Sequence, residues 1–239
     1  MNLLTKIFFV LFICTSLSAS DNEDLVKELL DSSGLLNNID NIEVKISKAN
    51  DNTYVKKFES IHDTDELKEN IIENIEEVLT DDDIDYLLDW YSSQTAVDIS
   101  ESEKENITFK EAQELITNPK KFLQDRKRVN TVLKINDILE ISKFDYKITN
   151  ILFLLKAKQS GTNKMTDIEK YYLSKPKELQ RKIRNQSLIF LLYKFRDIQN
   201  EKLEVYLEFL NTKSAKKFIS TYNKTYFNNI NETLEQTME

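Results

Sequence analysis

Apolar residues along this chain recur every three to four positions rather than every second one. Ile84, Leu87, Leu88 and Tyr91 stand at i, i+3, i+4 and i+7, which draws one apolar stripe along a helix. Leu203, Tyr206, Leu207 and Leu210 repeat that spacing. Shorter stripes run through Leu25, Leu29 and Leu30, and through Leu67, Ile71, Ile75 and Val78. The segment from Leu179 to Phe195 is periodic too and ends in a very apolar run, Leu188 to Leu192. Helix breakers are scarce, with 2 glycines and 2 prolines in 239 residues. Strand-rich folds need many turns, and turns favour those two residues. The pattern therefore predicts an all-α fold, a helical array with no significant sheet.

Residues 79–96 return without a gap as residues 198–215. Ile84 matches Leu203, Leu88 matches Leu207, Trp90 matches Phe209, Ser93 matches Thr212, and Ala96 matches Ala215. Thr80 or Asp81 is placed to cap the first copy, and Asn200 with Glu201 the second. The small residues Ala96 and Ala215 would let another backbone approach. Leu88, Trp90, Ser93, Ala96, Leu207, Phe209, Thr212 and Ala215 are accordingly read as a structural motif, a hairpin used twice in a helical core. Elsewhere Thr108 and Glu111 spell a capping box. Residues 98–106 read as a polar loop or frayed helix end. Phe122 to Ile141 reads as one long, largely buried helix, and Pro176 suits a first helical turn.

Charge divides the chain at Asn118-Pro119. Residues 21–119 carry 8 basic against 27 acidic side chains, and residues 120–239 carry 24 against 14. The two stretches are read as an acidic and a basic helical repeat, two related halves whose opposite charge would let them face each other. Before them, residues 1–20 have one lysine, an apolar run and a small-residue exit with Ser18 and Ser20, the form of a secretory signal peptide. Cleavage there would remove Cys14, the only cysteine, and leave no thiol for a disulfide or a metal. The expectation is an exported protein, periplasmic or secreted. Its mature chain would hold no transmembrane segment, because the run at Leu188 to Leu192 is short and its flanks are charged.

Candidate chemistry is thin. His62 is the only histidine and reads as a surface or satisfied residue. Asp81, Asp82, Asp83 and Asp85 suggest a calcium loop, but Tyr86 stands where a glycine is needed and Ser92 where a bidentate glutamate is needed. They read as a solvated helix start. Lys120-Lys121, Arg126-Lys127-Arg128 and Arg181-Lys182-Arg184 are basic clusters. Against a nucleic-acid reading stand the export signal and a net charge of −8, so pairing with the acidic half is expected. The sequence names no catalytic residue, cofactor or metal ligand.

The repeated element resembles that of a bacterial family of exported helical proteins, domain of unknown function family 2059. The family pattern is an acidic helix start, an apolar stripe with an aromatic, then Ser-Pro-x-Gly. Leu79 to Glu103 looks like it, with Ser93 at the Ser position, and so does Ile198 to Lys217, with Thr212 there. Gln94 and Lys213 replace the Pro, and Ala96 and Ala215 replace the Gly. Longer members carry the element twice around a helical middle, and Arg128 to Lys147 resembles the opening of their second half. The resemblance implies no activity and no site residues. The functional expectation is a non-catalytic envelope binding or interaction module, working through a groove between the halves; the partner would be an unknown envelope protein. Two alternatives stand beside it: a carrier of an apolar small molecule or lipid, and a hydrolase using a carboxylate pair.

Overall fold

The computed structural model describes residues 22–36, 39, 52–104, 107–161 and 165–239. The signal-peptide expectation for residues 1–20, Cys14 included, lies outside them. Among the described residues every regular element is helical and there is no strand, the all-α class expected from the periodicity. The first helix, α1, spans residues 22–32. Next come α2 (Thr53–Ile61), α3 (Thr64–Val78), α4 (Asp81–Tyr91) and α5 (Gln94–Lys104). α6 (Phe109–Thr117) and a 3-10 turn at Pro119–Phe122 lead to α7 (Arg126–Leu139), α8 (Ile141–Ser160) and α9 (Asp167–Ser174). α10 (Pro176–Lys194) and a second 3-10 turn at Phe195–Asp197 precede α11 (Asn200–Leu210) and α12 (Lys213–Met238).

Local sequence sets most of these boundaries. Thr80, Thr108 and Thr166 each cap a helix and each donate a reciprocal bond from the backbone N–H to the carboxylate of the acid three residues on, Asp83, Glu111 and Glu169. Asn52, Asp63 and Asp125 cap α2, α3 and α7 with a single side chain. Three expectations are corrected. α11 begins after Gln199, which makes no side-chain cap. Asn200 instead accepts from Arg128 at 2.7 Å and donates to Asp125 at 3.0 Å, so it ties α11 to the start of α7. Residues 98–104 are helical rather than loop, because Val97 and the residues after it continue the ladder that Ser93 starts. The helix foreseen from Phe122 to Ile141 is interrupted at both ends. Phe122 belongs to the 3-10 turn, and Glu140, at φ 56°, separates α7 from α8. Asn136 explains the second break. Its fully buried amide donates to Ser142 Oγ at 3.0 Å and its carbonyl accepts the Ser142 N–H at 3.2 Å, an alternative to helical hydrogen bonding.

α12 is the axis of the core. It packs on α2, α3 and α4 from residues 21–119, and on α7, α8 and α11 from residues 120–239. Phe218, Tyr222, Tyr226 and Ile230 on its inner face are buried in a single apolar cluster that draws residues from most of the helices, though none from α6 or α9. Burying side chains of this size stabilises the fold by about 1.5–3 kcal/mol each. The Tyr222 hydroxyl donates to the Leu35 carbonyl at 3.0 Å, satisfying a polar atom inside that cluster. α10 forms a second layer against α6, α7 and α8. His62 closes α2, buried against the Phe58 ring at a centroid distance of 5.6 Å.

Candidate functional site

The two copies of the hairpin have matching frames. α4 and α11 are each 11 residues long, and their bounds lie 119 positions apart. Ser93 accepts the Ala96 N–H at 3.2 Å, and Thr212 accepts the Ala215 N–H at 3.3 Å. Ile84 and Leu203, Leu87 and Tyr206, and Ala96 and Ala215 are buried in pairs. Leu88 and Leu207 are both half-buried against the edge of the core, and Trp90 packs there beside buried Phe209. Small alanines at the start of α5 and α12 leave room for the neighbouring helix.

The copies then meet each other. Trp90 stacks on Phe209 with centroids 4.3 Å apart and planes 9° from parallel. Tyr91 meets the same Phe209 edge-on at 5.6 Å, and Tyr206 lies parallel to Trp90 at 6.4 Å. Around this aromatic seam, Asp83 on α4 accepts from Lys217 on α12 at 2.7 Å and from Ser214. Asp98 on α5 accepts from Lys202 on α11 and from Gln94 at 2.7 Å. The partners are reciprocal, since 83 corresponds to 202 and 98 to 217. Such reciprocity is the signature of a two-fold, isologous contact. Here one copy supplies two aspartates and the other two lysines. The bonds from Lys217 and Ser214 hold the Asp83 carboxyl well below the usual carboxylate range, and Lys202 lowers Asp98.

Glu103, at the end of α5, adds a half-buried titratable group beside the seam, with one carboxyl oxygen shut off from solvent. Burial pushes its carboxyl up to about 7, against the pull of Lys194, whose ammonium donates to the Glu103 carbonyl. Glu103 Oε1 and Trp90 Nε1 are buried without a hydrogen-bond partner. The Tyr91 and Tyr206 phenols are raised by burial first and by the Glu103 charge second. Sequence reasoning passed over Glu103, because one glutamate among many acids carries no local pattern.

A groove of about 430 Å³ opens where the acidic and basic stretches of the chain meet. Asn70, Asn74 and Val78 on α3 form one wall, and Thr221, Thr225, Asn228 and Asn229 on α12 stand among those of the other. Lys224 and Glu232 also line the α12 side, eight residues apart, which is about 12 Å along a helix. Asn229 Oδ1 is buried there with no partner. The lining is mainly amides and hydroxyls, able to donate and accept without a fixed charge. Wide grooves of this kind fall in the size range of ligand sites.

The basic clusters do not carry the contact between the stretches. Arg128 donates to the Phe195 and Ile198 carbonyls, Lys127 pairs with Glu204 at 2.5 Å, Arg181 with Glu178 at 2.6 Å and Arg184 with Asp137 at 2.6 Å. All of these lie within residues 120–239; among the described residues Lys202 and Lys217 make ion pairs that cross between the stretches. Among the described residues no group of three or more His, Cys, Asp or Glu is placed to hold a metal ion, and no helix is long and apolar enough to cross a membrane. No protein family, curated protein or solved structure matches the chain.

Proposed function

We propose that this chain is an exported, non-catalytic interaction module that receives an extended peptide segment of an envelope protein in the groove between α3 and α12. The carrying observation is the lining itself: side-chain amides and hydroxyls facing each other across two helices that are rigidly packed on the core. Asparagine amides pair with peptide amides, donor to acceptor and acceptor to donor. An extended segment offers such groups along its whole length. Lys224 and Glu232 would set the polarity of the segment by meeting opposite charges near its two ends. The resemblance to family 2059 agrees with an envelope role and adds no chemistry.

A photo-crosslinking amino acid tests this directly. Placed at Thr225 in cells that express the protein, it should give a discrete adduct with an envelope polypeptide. The same group at Lys177, which is exposed and outside the groove, should not. The double substitution Asn74→Ala and Asn228→Ala should abolish the Thr225 adduct without lowering the thermal midpoint. An adduct that persists in the double variant would remove the groove from the argument.

A further inference from the structure

The corner formed by α9 and α10 carries a different chemistry. Ile168 is 65% exposed and Tyr171, one turn later on the same face of α9, is 45% exposed. No other large apolar side chain among the described residues is as open as Ile168. An isolated exposed apolar residue needs no explanation, but this one stands in a basic setting. Residues 165–185 hold six basic side chains against three acidic ones. The Lys175 ammonium sits 5.3 Å over the Tyr171 ring and the Lys182 ammonium 4.8 Å over the Tyr172 ring. Between α9 and α10 lies a groove of about 420 Å³, lined by Tyr171, Tyr172, Arg181, Lys182, Asn185 and Glu178. Lys170, Lys175 and Lys177 are exposed around it.

We propose that this corner docks on a bilayer surface bearing anionic phospholipid, with the headgroup phosphate in the α9–α10 groove and Ile168 and Tyr171 dipping into the interface. The parts fit that use. Tyrosine is suited to the depth where acyl chains give way to headgroups. Lysines held against tyrosine rings place their charge at the same level, where an anionic surface attracts them. Arg181 and Lys182 present donors to a phosphate oxygen. Arg181 already has Glu178 beside it, but that pair is open to solvent and exchanges easily. An isoleucine standing in water beside these groups gains by burial in the interface, and a protein partner of the same charge would not require it. Net basic charge and a protruding apolar tip together select an anionic lipid surface over a soluble anion.

Cosedimentation of the whole protein with vesicles decides the matter. Vesicles of phosphatidylcholine with about one third phosphatidylglycerol should retain it at moderate salt, and pure phosphatidylcholine vesicles should not. Ile168→Ser should weaken binding about tenfold, since it removes the inserted side chain. Arg181→Ala with Lys182→Ala should weaken it about thirtyfold, at roughly 1 kcal/mol for each cation near the surface. All three positions are exposed, so the variants should keep the wild-type far-UV spectrum and thermal midpoint. Soluble glycerol phosphate at millimolar concentration should not release the protein; release would assign the groove to a free phosphate ester and overturn the proposal. Equal binding to neutral vesicles, or an Ile168→Ser variant that binds like wild type, would overturn it as well.

Discussion

Trp90 lies flat on Phe209, 4.3 Å between centroids, and these two residues hold the same place in their respective copies of the hairpin. A position that contacts its own counterpart must lie close to a two-fold axis. The flanking ion pairs obey the same operation, Asp83 with Lys217 and Lys202 with Asp98. The seam is thus built like the interface of a symmetric dimer contained in one chain. Charge differs between the two hairpins. A symmetric pair would set like against like at these positions, whereas aspartates on one side and lysines on the other turn both contacts attractive.

The stack should carry measurable stability. Phe209 is 3% exposed, so Phe209→Ala removes a buried ring and leaves a cavity, at a cost of about 3–5 kcal/mol. Trp90→Ala should cost less, because Trp90 is only half-buried. In a double-mutant cycle read from urea midpoints, the two should couple by about 0.5–1.5 kcal/mol beyond area alone. Strictly additive effects would show that the rings merely sit side by side.

Charge reversal tests the reciprocity. Asp83→Lys places a second ammonium beside Lys217 and should destabilise by about 1–3 kcal/mol; adding Lys217→Asp should recover much of the loss. The pH dependence has a definite sign. Asp83 is depressed in the folded state, so its contribution is complete above the ordinary carboxylate value near ~4 and drains away as pH falls below it. Asp83→Asn should therefore flatten the acid limb of the stability profile while leaving its shape near neutrality unchanged. An acid limb as steep as wild type would assign that loss to other carboxylates.

The helices are legible in the sequence, and their mutual placement is not. Ile84, Leu87 and Tyr91 announce a helix and a buried face through spacing alone, and Thr108 with Glu111 announces a boundary, because both are local rules. That α4 docks against α12, or that Trp90 finds Phe209, is a matter of long-range packing and leaves no trace in periodicity. The charge split between the stretches predicted attraction, but it pointed at runs such as Arg126-Lys127-Arg128. The structure uses the single lysines 202 and 217, chosen by helix phase rather than by local density. Asn200 was a good cap by residue type and was taken instead by Arg128 and Asp125. The groove wall on α12 was hidden for a related reason. Thr221, Thr225 and Asn228 look like the solvated face of any helix until α3 supplies Asn70 and Asn74 opposite.

Glu140 occupies the left-handed region at φ 56° to join α7 to α8, where glycine is at ease and a residue with a Cβ is strained. Glu140→Gly should raise stability by about 0.5–1 kcal/mol, net of a solvent-exposed pair with Lys143 that contributes little. Thermal unfolding reads this as a rise of a few degrees or less for a chain of this size. A lower midpoint would mean that the Lys143 pair, or the unfolded-state entropy of glycine, outweighs the relieved strain.

Glu103 gives the chain an alkaline weakness that the other acids oppose. Its carboxyl stays protonated in the fold up to about 7, while in the unfolded chain it ionises near ~4.3. Between those values the unfolded state binds fewer protons, so stability from this group is full below ~4.3, declines as pH rises, and levels off above 7. The groups facing it do not compensate. Lys194 draws its value down only in part, and the Tyr91 and Tyr206 phenols are neutral throughout this range, since burial raises them. Glu103→Gln preserves the shape of the neutral acid and cannot ionise. It should match wild type at pH 4.5 and exceed it at pH 8 by something on the order of 2 kcal/mol. Urea titrations followed by Trp90, the single tryptophan, would report both limbs. If the variant's midpoint runs parallel to wild type from pH 4.5 to 8, Glu103 is solvated in the folded protein and the seam holds no buried proton.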